Sequence, residues 1–185
     1  MKSVAVYLGS ALGNDRVFSE AVGEFGRRMA ENGIRIVYGG AKVGLMGVLA
    51  DSALEAGGEV VGVFPKGFAG KREVAARGID ILHPGLTEMR WVKDFAERKQ
   101  VMEDLSDCAV ALPGGAGTMD ELFCYAVGNE IARHDKIVYV LNVNGYYDGL
   151  EMQIRKMNDS GLLAGASSMV VFCNSVDELL EKFAE

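Results

Sequence analysis

Short apolar runs alternate with amphipathic segments along most of the chain. The runs cover residues 4–8, 34–38, 60–64, 109–112, 137–141 and 169–172. Runs of this length and composition are typical of strands buried on both faces of a parallel sheet. The segments between them have helical spacing, as with Val17, Ala21, Phe25 and Met29. We therefore predict a single α/β domain over residues 1–185, with a Rossmann-like, doubly wound parallel sheet and helices on both faces.

The region between the third and fourth runs is less regular. We predict a surface excursion over residues 65–85 with a weak strand at 79–82, followed by a helix over residues 87–105. One stripe of that helix carries Trp91, Phe95, Arg98, Met102 and Leu105. An arginine on a core-facing stripe costs free energy unless it is paired or faces a cleft, which favours a functional role for Arg98. The alternative is a snorkelling arginine paired with Asp94 four residues earlier.

A glycine-rich loop, Pro-Gly-Gly-Ala-Gly-Thr-Met-Asp-Glu at residues 113–121, directly follows the fourth run. Parallel sheets bind ligands beyond the carboxyl ends of their strands, where free N–H groups at helix N-termini favour anions. We predict a phosphate cradle in which Gly114, Gly115 and Gly117 let the backbone approach the ligand and Thr118 adds a hydroxyl donor. The alternative is that Thr118 and Glu121 form a capping box, which needs no ligand.

Two further loops follow predicted strands. Residues 38–47 read Tyr-Gly-Gly-Ala-Lys-Val-Gly-Leu-Met-Gly, which lacks the Lys and Ser or Thr of a Walker loop. The glycines of this loop are explained equally well by contact with a ligand and by close packing between strand and helix. Ser10 follows the first strand, and a ligand-contacting role there is favoured over a nucleophile because no triad pattern accompanies it.

Composition excludes several classes of protein. The formal net charge of −7 argues against a general nucleic-acid binder, which needs a basic surface. No apolar run approaches the ~18 residues of a membrane helix, and no signal-peptide pattern opens the chain. Three cysteines without metal-ligand spacing fit reduced thiols, and neither histidine has metal or triad spacing. We expect a cytoplasmic protein without a metal, a membrane partner or a nucleic-acid partner.

These motifs together resemble a known family. The string P-G-G-x-G-T-x-x-E at 113–121, Arg98-Lys99 upstream, the loop at 39–47 and the Leu-Asn-Val-Asn-Gly-Tyr-Tyr segment at 141–147 are similar to the LOG (Lonely Guy) phosphoribohydrolases. The similarity spans nearly the whole chain. Some relatives carry the label lysine decarboxylase, which these residues do not support.

The resemblance implies hydrolysis of AMP, or of N6-substituted adenosine 5′-monophosphates, to free base and ribose 5-phosphate without a cofactor. Positive charge then develops on the ribose ring, and a nearby carboxylate stabilises it or activates water. The residues implied are Glu121 and Arg98 for catalysis, and Ser10, Glu73, Lys99, Gly114, Gly115, Gly117 and Thr118 for substrate binding. The resemblance also implies a homodimer with the Arg98 helix near the subunit interface.

The sequence departs from the family pattern at Ala41, Ala96 and Gly128, where a glycine, a histidine and a tryptophan are common. These departures leave the specificity for the base open. Two other functions also stay open at this point. One is a nucleotide or molybdenum-cofactor carrier without catalysis, and the other is a dinucleotide-dependent oxidoreductase, although the G-x-G-x-x-G fingerprint is absent.

Overall fold

Strands and helices alternate throughout the computed structural model, which describes residues 1–66, 81–131, 133–163 and 170–184. The strands are β1 Ser3–Tyr7, β2 Arg35–Tyr38, β3 Val60–Pro65, β4 Glu88–Val92, β5 Cys108–Ala111, β6 Val138–Leu141 and β7 Val170–Cys173. The helices are α1 Arg16–Glu31, α2 Leu45–Glu55, α3 Phe95–Asp104, α4 Ala116–Glu130, α5 Asp148–Asp159 and α6 Val176–Ala184, with a 3-10 turn at Val143–Gly145.

The seven strands form one sheet in the order β4-β3-β2-β1-β5-β6-β7, and every pair is parallel. The central strand β1 pairs with β2 through Val4 and Ile36, and with β5 through Val4 and Cys108. The chain therefore builds outward from β1 to β4 and then returns to the other side of β1. This arrangement confirms the predicted doubly wound sheet.

Helices cover both faces of the sheet because the strand side chains alternate in direction. In β1, Val4 and Val6 belong to a core formed with α1, α2 and α6. Ala5 and Tyr7 belong to a second core formed with α3, α4 and α5. These β1 side chains are at most 2% exposed, as expected of a strand that is buried on both faces.

The predicted helix at residues 87–105 begins too early. Its first part is β4, an edge strand that pairs with β3, and the helix α3 begins at Phe95. The Asp94 side chain caps it by accepting a hydrogen bond from the Glu97 N–H at 2.9 Å, which fixes the N-terminus at this point. Trp91 and Phe95 are 45% and 48% exposed and so do not continue the buried stripe of Met102.

The predicted excursion falls largely outside the described residues. At its described end, Leu82 makes an isolated antiparallel bridge with Ala41, and the Lys42 N–H donates to the Ile81 carbonyl at 2.9 Å. The predicted weak strand at 79–82 is therefore represented by this bridge, and the rest of it lies outside the described residues. Among the described residues, no helix is long and apolar enough to cross a membrane.

Candidate active site

The strand order reverses between β1 and β5, and the loops after these two strands meet there. The Gly9 N–H donates to the Pro113 carbonyl at 3.0 Å. Ligands of doubly wound sheets bind in the crevice at such a point. A cavity of about 240 Å³ lies here, and its lining includes Ser10, Gly114 and Gly115. Phe18, Leu45 and Tyr146 add apolar surface to it.

Helix α4 begins within the glycine-rich loop. Its N-cap is Gly115, which provides no side-chain cap, and the helix proper starts at Ala116. Thr118 lies inside the first turn and is 3% exposed, so Thr118 and Glu121 do not form a capping box. That alternative is wrong. Within the part of the chain that the structure describes, no side chain caps the first N–H groups of α4, which leaves an anion-favouring helix N-terminus at the crevice.

The glycines of this loop differ in what surrounds them. A Cβ on Gly114 would lie 2.1 Å from the Thr118 Oγ1 atom and 2.9 Å from the Gly9 nitrogen. Gly114 is therefore needed for packing of the loop itself. A Cβ on Gly115 or Gly117 would meet no atom of the described residues within 4 Å, so both face open space in that part of the chain. These two positions are the ones where a ligand has room to approach the backbone.

Arg98 and Glu121 form a buried ion pair between α3 and α4. The Arg98 Nη1 atom donates to Glu121 Oε1 at 2.8 Å, and Arg98 Nε donates to the Val63 carbonyl at 3.1 Å. Their side chains are 11% and 10% exposed. The alternative pairing of Arg98 with Asp94 is wrong, because the Asp94 carboxylate caps α3. Neither partner of the pair lines the cavity at Ser10.

Two effects oppose each other at the Glu121 carboxyl. Burial removes water from the charged form and raises the pKa of Glu121 above its usual value. The positive charge of Arg98 acts in the opposite direction, and burial prevails. Glu121 is therefore a carboxylate held in a poorly solvated place by one specific cation, which is a common environment for a catalytic acid or base.

Lys99 lies next to this pair but binds another partner. Its ammonium contacts both carboxylate oxygens of Asp120, at 2.9 and 3.1 Å. The hydrogen bond to Asp120 raises the pKa of Lys99, so this side chain stays charged. Lys99 thus forms an ion pair with Asp120 beside Glu121, and the Asp120 charge affects the pKa of Glu121 more strongly than the Lys99 charge does.

The loop at residues 38–47 packs closely against both parts of the site. A Cβ on Gly39 would lie 2.1 Å from the Arg98 Nη2 atom, so the absence of a side chain there makes room for the guanidinium. Gly44, with φ of 56°, precedes α2, and a Cβ on it would lie 2.4 Å from the Ser10 carbonyl. The close-packing interpretation of this loop therefore accounts for Gly39 and Gly44.

The remaining positions are one predicted substrate-binding residue, Glu73, and the three departures from the family pattern. Glu73 lies outside the described residues. Ala41 is buried beside β2, and its carbonyl accepts a hydrogen bond from the Tyr38 hydroxyl at 3.0 Å. Ala96 is exposed on α3. A Cβ on Gly128 would lie 2.4 Å from the His134 Nε2 atom, so Gly128 packs against that imidazole and does not line the cavity.

Tyr146 and Tyr147 are two further candidates for a functional role. No sequence motif singles them out, because they stand only in the segment at 141–147 that resembles the family. Their hydroxyls donate to the Gly114 and Leu112 carbonyls, both at 2.7 Å. The sequence shows two adjacent tyrosines after a glycine that follows a predicted strand, and this pattern could have indicated a role at the site. It does not indicate which backbone groups the two hydroxyls contact.

The reversed strand order, the crevice loops and the open helix N-terminus define a Rossmann-like α/β protein with a candidate ligand site at its switch point. Solved structures of this shape include the molybdenum cofactor binding protein of Rippkaea orientalis, with a TM-score of 0.71 and 18% identity over 100% of this chain and 96% of that one. The molybdenum cofactor carrier protein of Chlamydomonas reinhardtii gives a TM-score of 0.69 and 19% identity over 99% and 96%. At such identities the likeness establishes the fold alone.

Comparison with related sequences identifies the family of this chain. A family model described as "possible lysine decarboxylase" matches residues 46–183. The cytokinin riboside 5′-monophosphate phosphoribohydrolase of Rhodococcoides fascians is 39% identical over 177 residues, 95% of this chain and 86% of its own. The enzyme of that name, LOG1, from Arabidopsis thaliana is 34% identical over 185 residues, 100% and 83% of the two chains. The chain belongs to the LOG family.

Proposed function

We propose that this protein hydrolyses the N-glycosidic bond of adenosine 5′-monophosphates, including N6-substituted ones, to free base and ribose 5-phosphate. The two sequence relatives named above are called cytokinin riboside 5′-monophosphate phosphoribohydrolases, which supports this activity. The observation that supports it most strongly is the buried Arg98–Glu121 pair, because Glu121 lies in the second turn of the helix whose N-terminus opens at the crevice.

The phosphate binds at the N-terminus of α4. Gly115 and Gly117 offer open backbone there, and the helix dipole favours the negative charge. Gly114 acts indirectly by letting Thr118 pack against the loop, and Thr118 itself supplies a hydroxyl donor at the buried side. Ser10, exposed at the cavity, contacts the ligand from the facing loop.

Glu121 provides the carboxylate that stabilises positive charge on the ribose or activates water. Arg98 holds one oxygen of that carboxylate, and its positive charge opposes the rise in the Glu121 pKa that burial causes. Lys99, held by Asp120, assists in binding the nucleotide, a role that rests on the family resemblance. Glu73 contacts the substrate, a role that rests on the family resemblance.

The finer assignments are a homodimer and a cytoplasmic location. Exposed apolar side chains on α3 and α4, namely Phe95 and Val127, support an interface at these helices. Three free cysteines support a reducing compartment. Light scattering coupled to gel filtration measures the oligomer directly, and a monomeric mass would contradict the dimer.

A carrier for a nucleotide or the molybdenum cofactor is the second candidate, favoured by the likeness in fold to such carriers. A carrier needs the anion site but no carboxylate beside the anomeric carbon. The test is chromatography of the products after the purified protein is incubated with AMP or isopentenyl-AMP without added metal. Release of base with ribose 5-phosphate supports the hydrolase, and the ratio of the two rates gives the preferred base. Binding without release supports the carrier.

A glycine substitution tests the phosphate position. Gly115→Ala adds a methyl group that meets no protein atom within 4 Å, so folding is retained. Since the methyl group occupies the space proposed for the phosphate, we expect the KM for AMP to rise about tenfold or more. Gly149→Ala is the matched control, because its Cβ also meets nothing within 4 Å and it lies in α5. An unchanged KM in Gly115→Ala would exclude the phosphate from this position.

A further inference from the structure

The segment after β6 brings two tyrosines to the glycine-rich loop. The Tyr147 hydroxyl donates to the Leu112 carbonyl, and the Tyr146 hydroxyl donates to the Gly114 carbonyl, each at 2.7 Å. We propose that Tyr146 is a positioning residue, which fixes the Gly114–Gly115 peptide so that the Gly115 N–H is held ready for the substrate phosphate. This inference rests on the proposed phosphate position at α4.

The segment that carries Tyr146 is rigidly built. Asn142, at the end of β6, accepts a hydrogen bond from the Tyr147 N–H at 2.6 Å and donates to Asp148 at 2.8 Å. Between them the backbone turns through left-handed conformations at Asn144 and Gly145, with φ of 51° and 71°. Asn tolerates this region better than most residues do. The amide of Asn142 thus closes a turn that sets the direction of both tyrosine rings.

A loop with three glycines needs such an external constraint. Glycine has the widest range of backbone conformations, so ordering it costs more entropy than ordering other residues. Within one trans peptide the C=O and the N–H point in opposite directions. A hydrogen bond that holds the Gly114 carbonyl therefore also sets the direction of the Gly115 N–H, and a donor oriented in advance binds an anion more tightly.

The two tyrosines hold different parts of the loop. Tyr147 is 3% exposed and anchors Leu112, which directly follows β5. Tyr146 is 45% exposed, lines the cavity and packs edge-on against Phe18 with ring centroids 5.3 Å apart. Removing the Tyr146 hydroxyl alone leaves this ring contact in place. A substitution by phenylalanine therefore tests the hydrogen bond to Gly114 separately from the ring packing.

The test compares Tyr146→Phe with the wild type in three measurements: the Kd of ribose 5-phosphate by calorimetry, and the KM and kcat for AMP. A single net hydrogen bond corresponds to about a threefold to tenfold change in binding. We expect the Kd and the KM to rise together by that factor. Because the phosphate is bound equally in the ground and transition states, kcat stays within about twofold.

Tyr125→Phe is the matched control. Its hydroxyl is buried and has no hydrogen-bond partner among the described residues, so its removal leaves all three values unchanged. Tyr146→Leu removes the ring as well and should raise the KM further than Tyr146→Phe. Wild-type Kd and KM in Tyr146→Phe would overturn the inference, as would a fall in kcat at constant KM. If the wild type releases no base, the proposed function fails, while the Kd of ribose 5-phosphate still decides the role of Tyr146.

Discussion

Two arginine–glutamate pairs with buried carboxylates lie at opposite ends of α3, and they differ in how many hydrogen bonds the carboxylate accepts. At one end Arg98 binds Glu121 at 2.8 Å, near the carboxyl ends of the strands. At the other end Glu103 binds Arg133, which follows α4. Both glutamates are more than nine-tenths buried. The same chemical pair therefore occurs twice against the same helix.

Both carboxylate oxygens of Glu103 accept hydrogen bonds. Arg133 reaches both of its oxygens, at 3.0 and 2.5 Å, and Gln100 adds a bond at 3.3 Å. Lys136 binds the backbone carbonyl of Glu103 at 2.7 Å. From the described residues, the Glu121 carboxylate accepts one hydrogen bond, through Oε1. A bidentate pair fixes both oxygens and serves stability, whereas a single contact leaves Oε2 available for chemistry.

The largest expected effect separates the two glutamates by function. Glu121→Gln keeps the shape of the side chain but removes its charge, so we expect kcat for AMP to fall about 10³-fold with AMP binding largely retained. Glu103→Gln should leave kcat near the wild-type value and lower the free energy of unfolding by about 1–3 kcal/mol. Steady-state kinetics and urea denaturation of both variants measure this contrast. Wild-type turnover in Glu121→Gln would refute the proposed mechanism.

Arg98→Met is expected to act on both rate and pH dependence. Loss of the positioning contact should lower kcat/KM at neutral pH about 10²-fold. Burial already raises the pKa of Glu121, and Arg98 opposes that rise. Since the ionised carboxylate is the active form, removing the cation should move the acidic limb of the pH–rate profile to higher pH.

The comparison for this pH profile is Arg133→Met. Arg133 pairs with Glu103 at the far end of α3, so its loss should leave the acidic limb where it is in the wild type. An acidic limb that moves to lower pH in Arg98→Met would show that the titrating group is not Glu121.

Gly39→Ala is expected to have the smallest effect of the three. Its Cβ would lie 2.1 Å from the Arg98 Nη2 atom, and the flexible arginine tip would move away. We expect kcat to fall about tenfold from the displaced contact with Glu121. Gly149→Ala, which adds its methyl group to open space, should match the wild type. Equal kcat values for the two variants would show that Gly39 does not set the position of Arg98.

Local sequence patterns gave a correct account of most of the fold. The buried strands were visible as apolar runs, and α1 was visible as helical spacing. The helix ends at Glu31, shortly before Gly33, where φ is 66°. The helix at 87–105 was predicted to begin too early because most side chains of the edge strand β4 are exposed or half-buried, and Trp91 also fits the helical stripe. A short edge strand is defined by pairing with its neighbour, which no local pattern reports.

The sequence by itself determined the parallel α/β fold, the family and the glycine-rich loop at the start of a helix, because these depend on periodicity and on residue types at fixed spacing. The helical spacing around Arg98 left a pair with Asp94 open, and the tertiary structure decided for Glu121, 23 residues away, which the family resemblance had implied. It also decided that Gly114 packs within the loop while Gly115 faces open space. Such choices depend on which helices and loops meet across the sheet, and that is set by packing of the whole domain.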